Sequence, residues 1–223
     1  MVSENVRISF SKTGRLKYIS HLDLCRTVYT AMIRAKIPLK YTEGFNPHPK
    51  MVFTQPLPLF AESKCELLDI RLTEPMPHEE ICHRLRKQLT EELYINRVYE
   101  PSSKFSEIAY ARYLLSGFEN TEQSELDSLL GGEIRVLKRT KSGEEKESDI
   151  RPLVRSLEIC SMDGGGEIGE AGGSQVIIAV LSAASDAYLN PDVFCRALCA
   201  RSLGDDYGIV RSGWYREDMS VFE

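Results

Sequence analysis

Apolar and polar residues alternate through Val6-Arg7-Ile8-Ser9-Phe10-Ser11, the period of a strand with one buried face. The period then lengthens. Leu24, Val28, Met32 and Ala35 recur at helical spacing. Ser20 stands before them with Asp23 three residues on, a variant of the capping box, and Pro38 ends the helical region. Residues 41–49 carry glycine and prolines and read as a loop. Strands are predicted over 51–54 and 65–72. Pro77 opens a second helix, continued by Ile81, Leu85, Gln88 and Leu89, and 94–99 reads as a fourth strand. The order is β-α-β-β-α-β, the split-βαβ or ferredoxin-like pattern.

The second half repeats that order with insertions. Residues 109–118 predict a strand and 122–130 a short helix stopped by Gly131-Gly132. Strands follow at 133–138 and 154–161, with a charged hairpin at 141–149 between them and Gly143 at its turn. Residues 163–173 hold six glycines and read as a mobile loop. A strand over 176–181, a helix opened by Pro191 and a strand over 209–215 complete the set. The predicted fold class is α+β: two tandem ferredoxin-like units with antiparallel sheets, 1–103 and 104–223, joined near Pro101-Ser102-Ser103. Only the order of elements supports the duplication; no residue-level repeat does.

Composition narrows the class. No run of about 18 apolar residues exists, so no membrane-spanning helix is expected, and the first residues lack the pattern of a signal peptide. A cytoplasmic location follows as an expectation. Six scattered cysteines without a CxxC pair argue against a zinc ribbon or a disulfide scaffold. The net charge of −5 is unevenly spread. Residues 1–60 hold nine Lys or Arg against Glu4, Asp23 and Glu43, whereas the other 163 residues hold 19 basic and 30 acidic side chains. Such asymmetry suits a first segment that meets an anion, or a basic face packed beside an acidic one.

Candidate chemistry concentrates between Lys12 and Lys50. A strand, a glycine turn and a helix start form a reasonable anion site, because the first N–H groups of a helix are unpaired and its dipole is positive there. Lys12, Arg15 and Lys17 would add charge, with Tyr18 beside them, and Asp23 would compete for the positive end. His21, one residue inside the helix, has the chemistry of a general acid or base. The other reading is a histidine hydrogen-bonded to Asp23. His48 lies between two prolines that fix its backbone. Phe45 either stacks on a flat ligand or plugs the core under its loop. His21, Asp23 and His48 have no spacing that marks a metal site, and Cys195 and Cys199 read as buried small hydrophobes. No GxGxxG opens a helix after a strand, and no GxxxxGK[ST] or GxSxG motif occurs.

Phe10-Ser11-Lys12-x-Gly14-x-Leu16-Lys17-Tyr18-Ile19-Ser20-His21-Leu22-Asp23-Leu24-x-Arg26 resembles the opening of a bacterial radical-SAM-linked protein family, a domain of unknown function. The resemblance continues through Ala35-x-Ile37-Pro38, Tyr41-Thr42-Glu43-Gly44-Phe45-Asn46-Pro47-His48-Pro49, Pro56-Leu57-Pro58 and Glu66-x-x-Asp69, and returns at Asp149-Ile150-Arg151-Pro152. It implies a radical-SAM enzyme as partner. This chain has no CxxxCxxC triad to hold that enzyme's cluster, so no cofactor or metal is assigned to it. A looser, architectural likeness is to the repeat-processing endoribonucleases of CRISPR systems, which cleave RNA with a histidine and no metal. Residues 163–173 carry Glu167 and Glu170 and no cation, which is wrong for their phosphate-holding loop.

Three functions are thus open. The first is an accessory RNA-binding module, with Lys12, Arg15, Lys17, Arg26 and Lys50 on phosphates, Tyr41 and Phe45 as stacking surfaces, and His21, Asp23, Asn46 and His48 lining the site. The second is an endoribonuclease with His21 as base. The third is an adaptor presenting a small molecule or peptide to the radical enzyme.

Overall fold

The computed structural model describes residues 4–139, 145–162, 174–201, 203–204 and 206–223. The chain is α+β and divides into two units, 1–105 with Glu223, and 106–222. The expected glycine-rich loop at 163–173 and the turn at Gly143 lie outside the described residues.

In the first unit, β1 (Asn5–Lys12) lies between β4 (Leu93–Tyr99) and β3 (Ala61–Arg71), and β2 (Met51–Phe53) pairs with β3. Every pairing is antiparallel. The alternation in β1 puts Val6, Ile8 and Phe10 into one cluster with Leu24, Val28 and Met32 of α1 (His21–Arg34) and Ile81 and Leu85 of α2 (His78–Arg86). Each such side chain contributes roughly 1.5–3 kcal/mol by leaving water. β3 begins four residues earlier than the pattern indicates. Ala61 and Ser63 are buried there, but small and polar residues carry no hydrophobic alternation. α2 stops at Arg86, short of Gln88 and Leu89.

The polar side of β1 is not a solvent face. Arg7 is fully buried, its guanidinium bonded to both carboxylate oxygens of Asp69 at 2.7 and 2.8 Å. It also donates to the carbonyls of Ser103 and Glu223 and lies 4.4 Å from the centre of the Phe105 ring.

The second unit pairs β10 (Gly208–Tyr215), β5 (Tyr110–Ser116), β9 (Ser174–Ser182) and β8 (Val154–Met162) in that order, all antiparallel. Its helices are α3 (Gln123–Gly131) and α4 (Pro191–Cys199). The expected charged hairpin is wider than its sequence indicates: β6 (Arg135–Arg139) pairs with β7 (Glu145–Asp149) as a separate two-stranded sheet. With this hairpin set aside, the neighbours match the first unit: the first strand lies between the fourth and the third, and the second pairs with the third.

Among the described residues no helix is long and apolar enough to cross a membrane. All six cysteines are free thiols.

Candidate nucleic-acid interface

Between β1 and α1 the chain turns at Gly14, whose φ of +60° lies in the left-handed region that favours glycine. The Glu92 carboxylate fills this turn. It accepts the Arg15 backbone N–H at 3.0 Å and lies 3.5 Å from the Arg15 Nε. The helix start is occupied in the same way. Ser20 Oγ accepts the Asp23 N–H at 3.1 Å and donates to the Asp23 carboxylate at 2.7 Å, and Arg26 lies 3.3 Å from its other oxygen. The chain itself therefore holds both positions that the sequence offers to an external anion, the turn with the Glu92 carboxylate and the helix start with the Ser20 hydroxyl.

Lys12 needs correction as a phosphate ligand. Its side chain is 2% exposed, and its ammonium donates to the Ala61 carbonyl at 3.4 Å. β1 runs far enough to carry it under cover, where no phosphate reaches. Arg15 is the opposite case, with 90% of its side chain in solvent. Lys17 is half-buried, and its Nζ lies 5.4 Å from the centre of the Tyr18 ring. Lys50 is half-buried, with its backbone N–H bonded to the Lys40 carbonyl. Arg26 joins Arg34, Thr27, Thr30 and Gln88 around an open groove of about 290 Å³.

His21 is half-buried. Its ring meets Phe53 edge-on at 5.5 Å, and its Nε2 lies 3.5 Å from Cys25 Sγ one turn on. Burial pushes the Cys25 thiol up, so a neutral thiol, not a thiolate nucleophile, stands beside the imidazole.

Tyr41 to His48 is exposed throughout. Its base is closed by the Tyr41–Pro49 bridge and by Thr42, whose N–H donates to the His48 carbonyl and whose hydroxyl accepts the His48 N–H. The Tyr41 hydroxyl lies 3.0 Å from that of Tyr29 on α1, and this bond raises the Tyr41 pKa. The side chains of Asn46 and His48 face solvent. Phe45 does not plug the core: its ring is wholly exposed.

Three residues that matter here escaped the sequence reading. Arg34 was legible, because it follows Arg26 by eight residues and shares its helix face. Glu92, and Phe60 with its φ of +68°, carry no local signal, because what places them is contact with residues far along the chain.

A bacterial family described as "uncharacterized protein conserved in bacteria (DUF2344)" matches residues 5–191. The chain belongs to this family. The matched span runs from β1 to the start of α4, so it includes the basic segment, the exposed loop and most of the second unit. Two short sequence motifs within it have structural explanations. Asp69 of Glu66-x-x-Asp69 holds Arg7. Asp149 of Asp149-Ile150-Arg151-Pro152 accepts the Ile134 and Arg151 N–H groups, which lowers its pKa and ties the start of the hairpin to the turn that follows it. No curated protein matches the chain. Among solved structures, a chain in the crystal structure of a Cbf5–Nop10–Gar1 complex is similar at a TM-score of 0.44 and 11% identity. The alignment covers 97% of this chain and 51% of that one, so this chain spans about half its length. Among the described residues no group of three His, Cys, Asp or Glu is placed to hold a metal ion.

Proposed function

We propose that this family member is an accessory RNA-binding module, cytoplasmic, working beside a radical-SAM enzyme in RNA modification or processing. We read its two units as tandem ferredoxin-like folds, on the strand neighbours they share. The observation that carries the RNA reading is Phe45. Leaving a phenylalanine in water forgoes roughly 1.5–3 kcal/mol of burial. This one stands wholly exposed on a loop whose backbone is already closed by Thr42 and Pro49. An outward aromatic beside Asn46 and His48, in the basic part of the chain, suits a base that stacks and a backbone that is neutralised nearby. The radical-SAM partner is supported by the motif resemblance alone.

The test is fluorescence anisotropy with a labelled single-stranded oligouridine RNA. Affinity is expected to fall with salt, by roughly 0.7 in log affinity per log salt for each phosphate contact. Reversing charge at Arg15 and Lys17 together should flatten that slope by about 1.4. Absence of binding at low salt would refute the reading. Metal-independent cleavage of the RNA, lost on His21→Ala, would make the protein an endoribonuclease instead.

A further inference from the structure

Tyr18 and Phe60 are both aromatic, both more than half exposed (59% and 65%), and in edge-to-face contact at 5.8 Å. Tyr18 ends the 3-10 turn Gly14–Tyr18, and Phe60 precedes β3. The backbone holds them together: the Phe60 N–H donates to the Lys17 carbonyl at 2.8 Å. Phe60 does so at a φ of +68°, a conformation that costs a bulky residue and costs glycine nothing. A turn selected only for its shape would hold glycine there. The ring is kept in spite of backbone strain and without the gain of burial. Strain of this kind gathers where a side chain is wanted for what it touches outside the protein.

The neighbours indicate what that is. Arg15 reaches into solvent, and the Lys17 ammonium lies 5.4 Å from the Tyr18 ring centre. Two open π-faces with two cations fit the alternation of bases and phosphates along a single strand. A purely apolar partner would make no use of those cations.

We infer that Tyr18 and Phe60 form a second base-stacking platform for single-stranded RNA, flanked by Arg15 and Lys17. This rests on the RNA reading above and adds to the Phe45 loop a second place where the strand is gripped.

The same oligouridine RNA and anisotropy measurement test it, on the full chain, with Phe60→Gly, Phe60→Leu, Phe60→Trp and Phe45→Ala. Phe60→Gly is expected to melt no lower than the wild type, because it relieves the left-handed residue, yet to weaken binding about tenfold with the salt slope unchanged. Phe60→Trp should bind within about twofold of wild type, whereas Phe60→Leu, apolar but without a π-face, should resemble Phe60→Gly. If Phe60→Gly melts lower, the Trp and Leu variants decide by themselves, since both keep a side chain. If Phe45→Ala weakens binding and no Phe60 variant does, the platform is wrong and the RNA reading stands. If Phe60→Leu binds like wild type while Phe60→Gly does not, the contact is merely apolar and a protein partner replaces the base. If the wild type does not bind this RNA at low salt, the RNA reading fails and the platform with it.

Discussion

Phe45 and Arg7 show how little residue type alone says about place. One is apolar and wholly in water, the other charged and wholly out of it. Each yields a prediction. Phe45→Ala should weaken RNA binding by about 1–3 kcal/mol, leaving the salt slope and the melting temperature unchanged, because the ring adds stacking but no ion pair and no buried area. Asp69→Ala should lower stability by about 3 kcal/mol in urea unfolding, because it leaves the Arg7 guanidinium buried without its carboxylate. Loss of less than about 1 kcal/mol would mean that the Ser103 and Glu223 carbonyls suffice.

α1 is the element on which the candidate interface is built, and its sequence is locally consistent. Ser20 caps it, Leu24, Val28 and Met32 face the core, and Arg26, Thr30 and Arg34 face the groove. Ser20→Ala should cost about 1 kcal/mol by releasing the Asp23 N–H, read as a lower urea midpoint. At α4 the test is pH. The Tyr207 hydroxyl donates to Asp192 at 2.8 Å, and burial together with this bond pushes its pKa up to about 12. The unfolded value is about 10. A pKa raised by folding stabilises fully below the unfolded value and is lost as pH rises through the folded one. Wild type should therefore lose stability between about pH 10 and 12, and Tyr207→Phe should lose less over that window. Parallel curves for the two would show that folding does not raise the Tyr207 pKa.

For the molecule as a whole, a net charge of −5 conceals a basic first segment. Counting charges still overstates the interface. Lys12 is buried, Glu92 fills the Gly14 turn, and Asp23 lies on the positive end of α1. The exposed cations that remain are spread from Arg15 to Arg34, which suits an extended strand better than a single phosphate.

The element order of both units, the N-cap at Ser20 and the helix start at Pro191 were legible, because they depend on periodicity and capping within a few residues. So was the loop at 41–49, punctuated by glycine and proline. The burial of Arg7 and Lys12, the capture of the Gly14 turn by Glu92, and the exposure of Phe45 and Phe60 were decided by the tertiary structure. Asp69 lies 62 residues from Arg7 and Glu92 lies 77 from Arg15. A charge is buried only where such a distant partner or carbonyl meets it, and no local pattern encodes that meeting.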